Sequence, residues 1–572
     1  MKKFLKGIVW VCLLALVGTG CFYGYKAYQQ RGGFPEKQKT ERPAWVADKP
    51  APETVEPGAY LAALNAVYEE DLQRSAEYYA QAASGDMENE QLLKEAYFFN
   101  ALVGSFNALN PWVDKMQASH RSYLFGDYVK VAYAFQAHDW ALARSYIMSQ
   151  KGQALEAIIN PLLLAWTYAG ENNYAEAIKA LEPLKQKKAD AYYSYHKGLI
   201  AMMLGQNFEA DEAFQNLATQ KLPVFSLYPN IRSFYVRQGS WTVENPFYLQ
   251  WQLFVTEQPA TAELIMQAPV KEMTANRGAA EVFYNLSTAM GSGQNEYERA
   301  LILSAFSLFL EPNQELPKIW SAEILEQAQK PRLANYFYAH LGPIASQTID
   351  FKKAMNLIAC GRESEAKAIL LKLMPRNQNN TALWWALASI FQSEKNWSSA
   401  LHAYTRIAEI EGESNRERAS EVYFARAFIY SEMGQQMRSE SDLQHALALN
   451  PQNPMLLNHL GYTWLERDET LDKGVALVEQ AYQLKSSDPH IIDSMAFAYY
   501  RKKDYGKALP LAEKTVDMMP QSSVANAHLG DIYAALGRRR EAIFQYKKAL
   551  ALKYDLTPAL KQELSQKIAQ DK

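Results

Sequence analysis

The side chains best suited to chemistry are histidines and carboxylates near the C-terminal end of the chain. Nine histidines are scattered along the sequence, and His459 and His528 stand in the same stretch as Asp493 and Asp531. Imidazole and carboxylate groups can hold a metal ion or exchange protons. They can equally line a surface or form hydrogen bonds between helices, and this second interpretation is the one that we favour.

No catalytic motif accompanies these residues. The sequence contains no HExxH pair, no Gly-x-Ser-x-Gly elbow, no Gly-rich phosphate loop with its lysine and no kinase signature. We therefore predict that the protein is not an enzyme and needs no cofactor or metal. One alternative stays open, an enzyme site within residues 223–280, although polar candidates there are few.

Composition and charge describe a folded chain without affinity for nucleic acid. Of the 572 residues, 48% are hydrophobic and 12% aromatic, and the net charge is −3. Such values exclude a disordered or strongly basic protein. Only Cys12, Cys21 and Cys360 are present, so the folded body can hold neither a disulfide framework nor a cysteine zinc site.

A small side chain that recurs along the sequence indicates the helices that position the histidines and carboxylates. It recurs every 32 to 39 residues within two runs, at Ala76, Ala143, Ala177 and Ala210, with one unmarked repeat in the first gap, and then at Ala300, Ala334, Ala366, Ala400, Ser439, Gly474, Ala508 and Ala542. Glycines such as Gly205 and Gly434 stand five positions earlier, and aromatics such as Trp140 and Tyr505 three positions earlier. This pattern predicts antiparallel helix pairs that cross closely at the small residue, with a turn at the glycine.

Three C-terminal segments carry the pattern most clearly: LNHLGYTW (457–464), IIDSMAFAYY (491–500) and NAHLGDIYAALGRRREAIFQYKKAL (526–550). They resemble the tetratricopeptide repeat, which implies an all-α superhelical solenoid that binds protein partners. Together with GAAEVFYNLS (278–287), they make the chain similar to the long periplasm-facing repeat proteins and lipoproteins of the proteobacterial envelope.

The repeat positions predict six regions. They are a signal or anchor segment (1–30), a Pro-rich charged spacer (31–56), a degenerate N-terminal array (57–222), an irregular aromatic-rich joint (223–280), a C-terminal array (281–556) and a capping helix (557–572). The joint is interpreted either as a degenerate helix pair or as an aromatic ligand pocket.

Because first helices of stacked repeats line the inner surface of a solenoid, the last units predict a partner-binding groove. Its predicted residues are Phe428, Asn458, His459, Tyr462, Asp493, Phe497, Tyr500, Arg501, His528 and Asp531. The acidic Asp493 and Asp531 depart from the carboxylate clamp of chaperone-type repeats, so we do not expect this groove to bind a free C-terminal carboxylate.

The N-terminus carries an export pattern, because Lys2, Lys3 and Lys6 precede an apolar run over residues 8–25. Three interpretations remain: an uncleaved membrane anchor, a lipoprotein signal with the lipid on Cys21, or a cleaved signal peptide. All three predict a bacterial protein whose body faces the periplasm, held at the membrane in the first two.

These features predict a membrane-tethered scaffold that binds protein partners, with no nucleic acid among them. The envelope resemblance implies an adaptor that brings substrates to an envelope protease. The alternative is a structural subunit of a cell-wall or polysaccharide assembly machine.

Overall fold

The computed structural model describes residues 57–118, 123–150, 155–187, 189–220, 227–257, 262–263, 266, 272–290, 297–342, 346–552 and 555–570. The predicted signal segment and spacer therefore lie outside the described residues. Over the described ranges the protein is all-α, and no helix there is long and apolar enough to cross a membrane. The helices form two compact units that divide between Leu373 and Met374. We call residues 57–373 the first unit and residues 374–572 the second unit.

The described residues of the first unit form eighteen α-helices: α1 (Pro57–Tyr68), α2 (Leu72–Gly85), α3 (Glu90–Leu102), α4 (Leu109–Ala118), α5 (Tyr128–Gln136), α6 (Trp140–Ser149), α7 (Glu156–Gly170), α8 (Tyr174–Leu181), α9 (Asp190–Met203), α10 (Asn207–Ala218), α11 (Tyr228–Arg237), α12 (Pro246–Glu257), α13 (Ala275–Met290), α14 (Tyr297–Leu310), α15 (Glu315–Gln327), α16 (Pro331–Ala339), α17 (Gln347–Ala359) and α18 (Glu363–Leu373). Consecutive helices pack as antiparallel pairs, as the repeat pattern predicts.

In the part of the second unit that the structure describes there are eleven α-helices: α19 (Thr381–Ser393), α20 (Trp397–Glu411), α21 (Arg416–Glu432), α22 (Gln436–Leu449), α23 (Pro454–Leu465), α24 (Leu471–Leu484), α25 (Pro489–Arg501), α26 (Tyr505–Met518), α27 (Ser523–Ala535), α28 (Arg539–Ala551) and α29 (Pro558–Gln570). The last helix covers the predicted capping segment. It packs on α28 and buries Leu564 completely.

The turn inside most of the helix pairs has the same backbone conformation, and this turn occurs in both units. The residue five positions before the small side chain has a positive φ in nine pairs, at His138, Asn172, Gly205, Gln329, Gly361, Lys395, Gly434, Lys503 and Gly537. The second helix starts two residues after this position. The intervening residue is often an Asp or Asn that caps the helix, as Asp504 does by accepting a hydrogen bond from the Lys507 amide. The turn is thus fixed by geometry, and glycine is only its least strained occupant.

The predicted small side chains lie in the interior of the helix pairs. Every one of the twelve is buried, and Ala143, Ala300 and Ala508 have no exposed surface. The predicted aromatics Trp140 and Tyr505 are the first residues of their second helices. The predicted helix pairs are confirmed.

A helical hairpin, α13 and α14, packs against the first helices of the preceding pairs. Helix α13 contacts α5, α7 and α9, and α14 contacts α3 and α5. Ring contacts reinforce this arrangement: Phe106, which follows α3, stacks on Phe309 with 4.2 Å between ring centroids, and Tyr128 of α5 meets Phe283 edge-on. The inner side of the N-terminal pairs is therefore occupied by a later part of the same chain.

Buried hydrogen bonds fix the start of this hairpin. Asn230 of α11 donates to the Tyr195 hydroxyl on α9 at 2.9 Å, and that hydroxyl donates to Glu281 of α13 at 3.2 Å. Arg277 of α13 donates to the Asn230 side-chain oxygen at 3.3 Å. Burial raises the pKa of Glu281, an effect that the nearby Arg277 charge opposes.

The segment 223–280, predicted to be an irregular joint, contains α11, α12 and the beginning of α13 among its described residues. The predicted boundary between residues 280 and 281 falls inside α13. Several of its aromatics pack on one another, and Tyr228 stacks on Phe254 with 5.6 Å between ring centroids. The aromatic crowding noted in the sequence thus includes contacts between α11 and α12.

Candidate partner-binding groove

The inner surface of the second unit is built by first helices. Helix α25 contacts both α23 and α27, so these three form a continuous row. Helix α29 extends the row, since Lys567 on α29 donates to the Asp531 carboxylate on α27 at 2.7 Å. Because these helices share one repeat register, residues at equivalent positions lie next to each other across the row.

Four predicted groove residues form one aromatic cluster. Phe497 lies centrally, stacked on His528 with 4.7 Å between ring centroids and 19° between ring planes. Tyr462 approaches Phe497 from α23 at 5.4 Å, and Tyr500 lies 6.1 Å away from it. Tyr462, Phe497 and Tyr500 remain partly exposed, so this cluster can offer flat contact area.

His528 of the aromatic cluster also forms a buried ion pair with Asp493. The His528 Nδ1 atom lies 2.9 Å from Asp493 Oδ2, and the Tyr462 hydroxyl lies 3.4 Å from His528 Nε2. Burial alone would lower the pKa of His528, but the charge and hydrogen bond of Asp493, with a contribution from Asp531, outweigh it and the pKa is raised. The Asp493 carboxylate therefore favours the protonated form of His528.

Two buried acceptor atoms, one on α23 and one on α25, lack hydrogen-bond partners within the described part of the chain. They are Asp493 Oδ1 and Asn458 Oδ1. Both residues are more than nine-tenths buried, with exposures of 8% and 6%. Asn458 and Asp493 stand at equivalent positions of neighbouring units, three residues before Gly461 and Ala496. Unpaired buried acceptors are costly, so a donor that reached them would be stabilised.

Negative potential gathers around Tyr462. Burial is the main cause that raises its pKa, followed by the charges of Asp493, Glu466 and Glu563. Glu466 and Glu563 are exposed. Glu466, one helical turn after Tyr462, was missed in the sequence prediction, although extending the inner face by four residues would have found it.

Two predicted groove residues have structural partners instead. Arg501 donates to the backbone carbonyl of Leu465 and to Asp468 Oδ1, the latter at 2.7 Å, and so links α25 to the end of α23. Asp531 accepts from the Tyr546 hydroxyl and from Lys567, each at 2.7 Å. Lys567 was also missed, because the capping segment shows no repeat signal of its own.

The remaining predicted residues lie apart from the cluster. His459 packs edge-on against Phe424 at 5.0 Å, and Phe428 meets Trp397 at 6.3 Å. His459 and His528 share a repeat position but have different neighbours. Among the described residues no group of three or more His, Cys, Asp or Glu side chains could hold a metal ion.

A second concavity lies in the first unit, near the predicted aromatic joint. It is a cleft of about 520 Å³ whose lining includes Phe208, Asp211, Phe234, Tyr235 and Glu244. The Tyr235 hydroxyl donates to Asp211 at 2.9 Å, so the polar groups named here are partly paired. No buried unpaired group of the described chain lines it.

Comparison with known proteins agrees with the helix pattern. The family described as the tetratricopeptide repeat matches residues 420–453 and 524–555, which cover α21 with α22 and α27 with α28. The chain therefore carries tetratricopeptide repeats over these residues. The matched repeats are among those that build the groove of the second unit.

Two curated proteins are similar to parts of this repeat protein. A TPR repeat-containing protein of Pseudomonas aeruginosa is 29% identical over 146 residues, 26% of this chain and 23% of the relative. Anaphase-promoting complex subunit 6 of Arabidopsis thaliana is 23% identical over 197 residues, 34% of this chain and 35% of the relative. The matched parts thus span between about a quarter and a third of these relatives.

Solved structures with similar folds include the APC/C hetero-tetramer Cut9-Hcn1, with a TM-score of 0.36, 14% identity and coverage of 90% of this chain and 96% of that one. YrrB, a TPR protein with an unusual peptide-binding site, has a TM-score of 0.26, 17% identity and coverage of 34% and 97%. The assignment of the repeats therefore rests on the family match and on the helix pattern.

Proposed function

We propose that this repeat protein is a non-enzymatic scaffold that binds protein partners through the groove of the second unit. The observation that carries the proposal is the partly exposed row of Tyr462, Phe497 and Tyr500 on adjoining first helices. Aromatic side chains give large contact area at low entropic cost and are enriched at interaction hot spots.

The arrangement of the first unit supports this choice of surface. Its N-terminal pairs direct their first helices at the hairpin α13–α14, which covers the side that a partner would use. The corresponding helices α23, α25 and α27 carry the partly exposed aromatic row. One relative is by name a subunit of a multi-protein complex, which fits a role in assembly.

The proposal includes tethering through the apolar run over residues 8–25, with the body in the periplasm. The partners that we propose in the periplasm are an envelope protease and its substrates. A phosphatase reporter joined after residue 60 should be active outside the cytoplasm, and reporter activity confined to the cytoplasm would contradict export. Palmitate labelling that disappears in Cys21→Ser would identify the lipoprotein route.

The groove is tested by the double variant Tyr462→Ala, Phe497→Ala in the full chain. We omit Arg501 because its contacts to Leu465 and Asp468 make it structural. Partners recovered from crosslinked membranes should be lost from the variant, and their measured affinity should fall by about 2 kcal/mol or more. Phe544→Ala, an exposed aromatic on the outer helix α28, is the matched control. Equal recovery by a folded double variant would refute the groove.

A further inference from the structure

In the groove of the second unit, the named cations are engaged, whereas two buried acceptor oxygens are not. Its named cations are already engaged: His528 with Asp493, Lys567 with Asp531 and Glu563, and Arg501 with Asp468. The buried oxygens Asp493 Oδ1 and Asn458 Oδ1 have no partner within the described chain. A ligand that completes this surface must therefore bring donors.

The aromatic cluster stands beside these acceptors. Tyr462 is linked to Asp493 through His528, with 3.4 Å from its hydroxyl to Nε2 and 2.9 Å from Nδ1 to Asp493. Phe497 stacks on the same imidazole. Aromatic faces attract cations, and a carboxylate beside them adds a charge-assisted hydrogen bond. The combination matches the side chain of lysine or arginine.

Resting on the proposed function, we propose that the groove takes a basic segment of its partner and seats a Lys or Arg side chain on the aromatic cluster, beside the carboxylates of Asp493 and Glu466. Glu466, exposed and one turn after Tyr462, supplies negative charge at the rim. Asn458, one unit earlier, accepts a hydrogen bond from the backbone or side chain of the same segment. The charge of the surface thus selects against the acidic C-termini that a carboxylate clamp would bind.

The test starts from a phage-displayed library of random peptides about 12 residues long, selected on the purified full chain. Selected peptides that the double variant Tyr462→Ala, Phe497→Ala no longer binds are sequenced. We expect them to be enriched in Lys and Arg. The strongest peptide is then synthesised in its selected form and with its basic residues replaced by Gln, and both are measured by fluorescence anisotropy.

Removing charge from the groove should weaken binding of the basic peptide and leave the Gln peptide unaffected. Asp493→Asn should weaken the affinity for the basic peptide about tenfold or more. Glu466→Gln leaves the buried pair of His528 with Asp493 intact, so it should weaken the affinity by a smaller factor, and that factor should shrink with added salt. Asp517→Asn, an exposed carboxylate on the second helix α26, should change nothing.

The outcomes separate this inference from the proposed function. Groove-dependent peptides without basic residues, or binding unchanged in both Asp493→Asn and Glu466→Gln, would overturn the basic-segment assignment while the groove remains a binding surface. A library that yields no groove-dependent peptide would overturn both. Basic peptides sensitive to Asp493→Asn and Glu466→Gln support both.

Discussion

Gly278 of α13 lies directly against the indole ring of Trp166 on α7, so that a Cβ atom at position 278 would stand 2.2 Å from the ring carbon Cδ2. Trp166 has no exposed surface, and its indole N–H donates to His196 Nδ1 at 3.0 Å, which holds the ring in place. The hairpin α13–α14 can therefore approach the N-terminal pairs only because residue 278 has no side chain.

Gly278→Ala should destabilise the first unit by about 1–3 kcal/mol, because neither the ring nor the helix backbone can move aside cheaply. Denaturant unfolding followed by tryptophan fluorescence measures the loss. Gly58→Ala is the control, since nothing lies within 4 Å of the Cβ position there. Similar stability of the two variants would show that α13 does not pack against α7 in this way.

The repeat turn gives a second prediction, with opposite signs at two equivalent positions. Gly434 and Lys503 have φ values of 71° and 62°, in the left-handed region that disfavours side chains. Gly434→Ala should cost about 1 kcal/mol of unfolding free energy, whereas Lys503→Gly should be neutral or stabilise by a few tenths, because relief of strain offsets the added chain entropy. Urea denaturation of the second unit measures both, and the same sign for both would contradict a shared turn.

The small residue inside each helix pair gives a third prediction. Ala508 on α26 has no exposed surface, so Ala508→Leu should overpack the crossing with α25 and cost about 1–3 kcal/mol. Ala551→Leu, at the exposed end of α28, should change stability little. Thermal unfolding of the two variants provides the comparison, and an undisturbed Ala508→Leu would remove the basis for the repeat register.

The sequence was sufficient for the helix pairs because their determinants are local. Turn residues such as Gly434 and small residues such as Ala508 act within one pair, so a fixed spacing reveals them. Docking of α13 on α7 is not local, since periodicity shows which residues are buried but not against which helix. The run from Arg277 to Ser287 is buried throughout, although it includes the polar residues Arg277, Glu281 and Asn285. A helix that is buried on all sides is usually apolar on all sides, so this sequence gives no such signal.

The groove was predicted only in outline for the same reason. Repeat position placed Tyr462, Asp493 and His528 on one surface, but their pairing depends on the offset between neighbouring first helices. Repeat position alone does not reveal the role of Arg501. Its position predicts a groove residue, whereas its hydrogen bond to the Leu465 carbonyl links α25 to α23. Partners that lie outside the repeat pattern, such as Lys567, have no periodic signal.

The pair formed by His528 and Asp493 makes the stability of the second unit depend on pH. The pKa of His528 is raised above its ordinary value of 6.5 although burial opposes this, because the charge and hydrogen bond of Asp493 and the charge of Asp531 dominate; Lys567 acts against them. Folding therefore favours the protonated imidazole. The stabilisation is fully present below about pH 6.5 and is lost as the pH rises through the raised pKa of the folded state.

We expect the unfolding free energy of the wild type, minus that of His528→Gln, to be largest near pH 6 and to decline above pH 6.5, by about 1.4 kcal/mol for each unit by which the pKa is raised. Asp493→Asn should flatten this difference, because it removes the charge that raises the pKa. His402→Gln, an exposed histidine of the same unit, serves as control. A difference that grows with pH would mean that the buried imidazole is neutral in the folded protein, and titration of its NMR resonances would then place its pKa below 6.5.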